Sequence, residues 1–230
     1  MQDAPAGTLR TIPGPHGCIH VSHTGTGAPL AMKRFNAVGN EFLHHRALEV
    51  SQAVYRWQAV AARQHPNIYP VYGIRNRDSV SFAIDMPYSA EGNLMNYITN
   101  NPQTARLALV EQIATGLEYL HRNGLVHGNL KPSNVLMEQE RAKLTDIGIT
   151  AALQLEDLRN PRKTVQLPSD WMYNAADEIL RIDLNDPMPV MQGRDVYAFA
   201  HTVYEVSLHM CSDDPPFNYP PGSFTLAERI

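Results

Sequence analysis

Cysteine is nearly absent: Cys18 and Cys211 are the only two in 230 residues. Two thiols so far apart give neither the even, close set of a disulfide-stapled domain nor the paired spacing of a zinc site, and they suit a reducing compartment. Long apolar runs are missing too. No stretch approaches the roughly 18 residues of a spanning helix, and Met1 to Arg10 mixes Asp, Pro and Gly without the apolar centre of a secretion signal. A basic surplus is the third absence. Lys and Arg number 19 against 23 Asp and Glu, a formal charge of -4, which leaves no electrostatic footprint for nucleic acid or an anionic membrane. A soluble, cytoplasmic protein with no nucleic-acid and no membrane partner is expected.

What is present suffices for a packed core. Hydrophobic residues make up 43% and charged residues 18%, far from the composition of a disordered chain, and the length fits one two-lobed domain or two small ones. Of the ten histidines, His16, His20 and His23 lie close together and His44 adjoins His45. With no Cys, Asp or Glu among the first three, scattered solvated histidines are expected rather than a metal centre.

Periodicity divides the chain. Val80, Phe82, Ile84 and Met86 alternate with Ser81, Ala83 and Asp85, as in a half-buried strand, and Leu30 to Phe35 is a second strand candidate. Between them Val50, Ala53, Val54, Trp57, Val60 and Ala61 recur at helical steps. After Gly92 two helical stripes dominate, one through Val110, Ile113, Leu117 and Leu120 and one through Val196, Phe199, Val203 and Val206. The stretch Tyr88 to Gly92 joins the halves, and the crevice between them is a natural ligand site. Residues 151–194 lack steady periodicity and carry four prolines, so a long irregular loop is expected there.

The segment Val126-His127-Gly128-Asn129-Leu130-Lys131-Pro132-Ser133-Asn134-Val135-Leu136 resembles the protein-kinase catalytic loop H-R-D-L-K-x-x-N. Thr145-Asp146-Ile147-Gly148 is similar to the D-F-G turn. Leu30-Ala31-Met32-Lys33 is similar to V-A-I-K, and His65-Pro66-Asn67-Ile68 to the H-P-N-I after helix C. Trp171-Met172 with Ala176-Asp177-Glu178 resembles W-M…A-P-E, and Asp195-Val196-Tyr197-Ala198-Phe199 resembles D-V-Y-S-F of helix F. Each alone reads as a strand lysine, a turn or a loop. Together, in the family's order over Gly14 to Glu205, they resemble a Ser/Thr/Tyr protein-kinase domain.

The resemblance implies an α+β, two-lobed fold. Residues 1–13 would be an N-terminal segment, 14–88 an antiparallel-sheet N-lobe with helix C, and 89–230 a mainly helical, incomplete C-lobe. Helices G to I have no counterpart before Ile230, so a fragment or truncated product with an exposed apolar patch is expected. Kinase catalysis is mostly positioning and charge stabilisation around a transferred phosphoryl group. By position, Asn129 and Lys131 fall at the catalytic sites. Gly14, Gly17, Val21, Ala31, Lys33, Met86, Asn134, Leu136 and Asp146 fall at the nucleotide sites, and Asn134 and Asp146 at the Mg²⁺ sites. ATP and Mg²⁺, weakly held, are the implied cofactors.

Several departures count against fast transfer. Asn129 stands where the proton-accepting aspartate belongs, and a neutral amide cannot take a proton; general-base catalysis supplies about 10² to 10⁴ in rate. The helix C glutamate, by the family's spacing, becomes Arg56. Glu49 lies seven residues earlier, about 10 Å along a helix axis, too far to serve Lys33 without a two-turn slip. Lys33 is therefore expected to pair with Asp146. Counting back from Val21 gives Gly14, His16 and Ile19 at the three glycine positions, with Gly17 displaced by one, so nucleotide affinity should fall. Gly128 replaces the arginine that reads a phosphate on the activation loop, so ordinary activation through Thr150, Thr164 or Ser169 is not expected. The leading expectation is a pseudokinase, a scaffold or regulator that engages a protein partner such as an active kinase. The alternative is a slow ATP- and Mg²⁺-dependent phosphotransferase.

Overall fold

Alternation of polar and apolar residues builds the upper lobe as a five-stranded antiparallel sheet. The strands are β1 (Arg10–Gly14), β2 (Gly17–His23), β3 (Pro29–Phe35), β4 (Gly73–Asp78) and β5 (Ser81–Pro87), in the spatial order β1-β2-β3-β5-β4. The computed structural model describes residues 7–14, 17–35, 40–78, 81–154, 173 and 192–208. Cross-strand partners share a sheet face, so the register puts Ile19, Val21, Ala31, Lys33, Ile84 and Met86 on one side. His20, Met32 and Asp85 lie on the other.

Helix α1 (Asn40–Ala61) covers the sheet through Val50, Val54, Trp57 and Val60, all buried at three- and four-residue spacing. Trp57 is wholly enclosed, and its indole N–H donates to the Tyr69 carbonyl at 2.8 Å, satisfying the one polar atom its burial would strand. The His65-Pro66-Asn67-Ile68 segment then ties the lobes. Asn67 Nδ2 donates to the Ala142 carbonyl at 2.9 Å, the Leu144 N–H donates to the Asn67 carbonyl, and the His65 ring stacks on Tyr119 with centroids 4.2 Å apart.

The lower lobe starts at α2 (Leu94–Asn100), where Asn93 caps the helix by accepting the Asn96 N–H at 3.0 Å. Helix α3 (Arg106–Arg122) buries Leu109, Ile113, Leu117 and Leu120. Gly116 on the same face is pressed against its neighbours: a Cβ there would lie 2.9 Å from the Asn67 carbonyl oxygen. A hairpin of β6 (Val135–Glu138) and β7 (Arg141–Leu144) turns through Gln139 and Glu140, both at positive φ as a two-residue type I′ turn requires. Helix α4 (Ile149–Gln154) and helix α5 (Gln192–Leu208) complete the described elements.

Three boundaries differ from expectation. Strand β1 begins at Arg10, in register with Val21, so residues 10–13 belong to the sheet and the upper lobe starts before position 14. Residues 151–154, expected in an irregular loop, are helical because Ile149 and Ala152 bury one short stripe at the start of α4, which packs on α1. Residues 192–194 open α5 rather than closing that loop. Of residues 155–191 only Tyr173 lies within the described set, and Trp171-Met172, Ala176 to Glu178, Thr164 and Ser169 fall outside it. Among the described residues, no helix is long and apolar enough to cross a membrane.

Candidate functional site

Lys33 sits in the middle of β3, paired in register with Ile19 on β2 and Ile84 on β5. Its ammonium forms an ion pair with Asp146 Oδ2, as expected from the missing helix-borne partner. Asp146 itself is buried and held at φ 61°, a left-handed conformation that a non-glycine residue adopts at a cost and keeps only when its surroundings fix it. Its second oxygen, Oδ1, is buried with no hydrogen-bond partner. A lone carboxylate oxygen shielded from water is costly, so this atom is suited to a hard cation.

The loop from His127 to Asn134 wraps under that pair. Asn134 Nδ2 donates to the Asn129 carbonyl at 2.8 Å, and the Thr145 N–H donates to the Asn134 carbonyl at 3.1 Å. Asn134 commits its nitrogen end to the loop, which leaves its amide oxygen as the end suited to a metal. The Asn129 side chain donates from Nδ2 to Thr150 Oγ1 on α4 at 2.8 Å. Lys131 is half-buried immediately before a 3₁₀ turn over Pro132–Asn134.

Beneath the loop lies an anchor whose role the sequence reading missed. Asp195, fully buried in the first turn of α5, accepts the His127 N–H and the Gly128 N–H at 2.8 Å each, and its Oδ2 lies 2.8 Å from His121 Nε2. The D-V-Y segment carried this residue, but only the fold reveals what it holds. Gly128 is at φ 75°, where any L side chain would be strained, so a glycine at this position relaxes the loop while removing a guanidinium. His127 is enclosed; burial pushes its pKa below the ordinary histidine value, opposed by the charges of Asp195 and Asp146.

Above the loop, Val21, Ala31 and Met86 form one buried row across β2, β3 and β5, on the Lys33 face. Gly14 and Gly17 face each other at the β1–β2 turn, and half-buried Leu136 bridges to Asn93 just past the inter-lobe connection.

A family model described as protein tyrosine and serine/threonine kinase matches residues 20–218. The chain belongs to this family. It is 28% identical over 192 residues to the discoidin domain-containing receptor tyrosine kinase B of Caenorhabditis elegans, covering 81% of this chain and 22% of that protein. It is 31% identical over 193 residues to the serine/threonine-protein kinase SBK2 of Rattus norvegicus, covering 80% of this chain and 49% of that one. A 101-residue stretch is 35% identical to the serine/threonine-protein kinase PrkC of Bacillus subtilis, covering 42% of this chain and 15% of that one. The chain thus spans less than half the length of each of these relatives.

As kinases go, the site is a mixture. The residues present fit Mg²⁺: a buried carboxylate oxygen without a donor and a nearby amide, Asp146 and Asn134, are hard ligands of the kind that hold it beside phosphates. Ile19 shares a sheet face with Lys33 as its direct cross-strand partner, so a branched side chain stands where the family places glycine. Arg56 is exposed on α1, next to buried Trp57, and cannot serve Lys33. Glu49, dismissed on spacing, turns its carboxylate inward, with Oε2 buried and without a hydrogen-bond partner. Glu49 lies one turn before Ala53, whose Cβ would be 3.6 Å from a Cβ at Gly148. No sequence signal distinguished an inward from an outward glutamate, because its direction is set only when α1 packs. His20 is also not solvated: it is 2% exposed and lies between Thr11 Oγ1 at 3.0 Å and Cys18 Sγ at 3.2 Å.

Proposed function

We propose that this kinase-family domain acts as a pseudokinase, a scaffold or regulator in cytoplasmic signalling that engages a protein partner, such as an active kinase, through its lobes. The observation that carries the reading is Asn129. At the position where the family places the group that accepts the substrate's proton, a neutral amide donates a hydrogen bond to Thr150. Two other features support it. Lys33 is paired with Asp146, and Ile19 crowds the strand beside Lys33, so weak or absent ATP binding is expected.

A second reading, slow phosphotransfer, is favoured by one specific observation. The orphaned Oδ1 of Asp146 beside Asn134 keeps a place for Mg²⁺, which when bound would supply charge neutralisation between phosphates. In that case Lys33 would leave Asp146 to meet phosphate, while Asn129 would orient an acceptor hydroxyl without deprotonating it. Calorimetric or thermal-shift titration with Mg²⁺ and ATP separates the two. Binding raises apparent stability by about 2.7 kcal/mol at a hundredfold excess over Kd, and the scaffold reading expects no such rise.

A further inference from the structure

The face of the upper sheet turned away from Lys33 carries a second polar site. His20, Met32 and Asp85 form one cross-strand row there, and the register puts Leu30 and Arg75 on the same face. With Tyr72 they line a cavity of about 440 Å³, within the range of small-molecule sites. Its walls are fixed by the protein's own bonds. The β2–β3 turn is closed by the Gly27 N–H donating to the Thr24 carbonyl at 2.9 Å and the Ala28 N–H donating to Thr24 Oγ1 at 3.0 Å. Tyr72 is held from both sides, its N–H donating to the Asp85 carbonyl at 2.8 Å and its carbonyl accepting from Gln58 Nε2 at 2.6 Å.

The polar end of the cavity is an ion pair only half used. Arg75 donates from Nε and Nη2 to one and the same oxygen, Asp85 Oδ2, at 2.9 and 2.7 Å. The other oxygen, Oδ1, is buried and has no hydrogen-bond partner among the described residues, which costs free energy until a donor reaches it. His20 does not supply that donor, since its ring nitrogens face Thr11 and Cys18. On the cationic side the pair makes no use of Arg75 Nη1.

We infer that this cavity binds a free α-amino acid with an aromatic side chain. The ligand's ammonium donates to Asp85 Oδ1, its carboxylate accepts from Arg75 Nη1, and its ring lies over Leu30 and Met32 beside Tyr72. Charge selects the class. Arg75 and Asp85 sum to zero, and the described lining holds no other Lys, Arg, Asp or Glu, so a zwitterion matches both ends where a lone anion or cation would match one. An amino acid carries its charged donor and its charged acceptor on a single carbon, and charge-assisted bonds of this kind are the strong ones. Leu30 and Met32 are 8% and 5% exposed, which makes a closed apolar floor, and a methionine sulfur contacts aromatic rings favourably. The site lies across the sheet from Lys33, so nucleotide and amino acid do not compete for the same side chains.

Saturation-transfer NMR titration of the full chain with L-phenylalanine tests the inference. Saturable binding with a Kd of about 1 mM or below is expected. On the same parent chain, N-acetyl-L-phenylalanine, which lacks the ammonium, and L-phenylalaninamide, which lacks the carboxylate, should each bind about tenfold or more weaker. Asp85→Asn should weaken L-phenylalanine by a similar factor, with circular dichroism checking its fold; the two analogues make the same test without any variant. Saturating Mg²⁺ and ATP should leave the affinity unchanged. No saturable signal up to about 10 mM, equal affinity for either analogue, or displacement by ATP would overturn the inference. The pseudokinase reading rests on Asn129 in the cleft, so it stands or falls separately from every one of these results.

Discussion

Replacing Asp195 should be among the most damaging single changes in the lower lobe. Its carboxylate is fully buried and takes two backbone N–H groups at 2.8 Å, with His121 Nε2 at the same distance. Hydrogen bonds to a charged group contribute about 1.5 to 3 kcal/mol each, but three on one carboxylate are not additive. Asp195→Ala strands two buried backbone donors, and breaking a buried charged network costs about 3 to 5 kcal/mol. At about 2 to 4 °C per kcal/mol for a chain of this size, the midpoint of thermal unfolding should fall by about 6 to 20 °C. Asp195→Asn retains one oxygen but turns an NH₂ toward a backbone donor, so a smaller loss, about 1 to 3 kcal/mol, is expected. Differential scanning calorimetry measures both, and exchange at the His127 and Gly128 amides reports locally. A melt of Asp195→Ala within about 2 °C of the parent would refute the claim that this carboxylate holds the loop.

Two further outcomes follow from particular contacts. Gly116→Ala puts a methyl 2.9 Å from the Asn67 carbonyl oxygen and 3.2 Å from Leu144, both in packed surroundings, so denaturant unfolding should show a loss of about 1 to 3 kcal/mol. Burial lowers the pKa of His127, and also of His65 and His201, below the value of about 6.5 for an unfolded histidine. Below that pH the unfolded chain takes up protons that the folded chain refuses, so this stability is present above about pH 6.5 and is lost as pH falls. Thermal midpoints should decline from about pH 7.5 to about pH 5.5, and a flat or rising series would contradict this.

Much of the architecture was legible because it rests on short-range pattern. The alternation through Phe82, Ile84 and Met86 became β5, and the stripe from Val50 to Val60 became the buried face of α1. Motif order expected the His127 loop and the D-I-G turn to be neighbours, as the Gly148 to His127 backbone bond has them, and the missing helix-borne glutamate pointed to the Lys33–Asp146 pair. What could not be read depended on which way a side chain turns once elements pack. Glu49 and Arg56 sit on one helix, yet only the packing of α1 makes one inward and the other exposed. Thr150 stood out only as a hydroxyl open to phosphorylation, and its contact with Asn129 could not be read because that partner lies 21 residues earlier in the chain. His20 looked like a surface histidine until β1 and β2 paired and set Thr11 opposite it.

The most direct test of the account is Mg²⁺-dependent phosphate transfer from ATP by the purified chain beside its Asn129→Asp variant. With no proton acceptor at position 129, the parent should turn over at least about a hundredfold below the roughly 1 to 100 s⁻¹ of kinases, and the aspartate variant should be faster wherever nucleotide binds. Turnover by the parent within that range would contradict it.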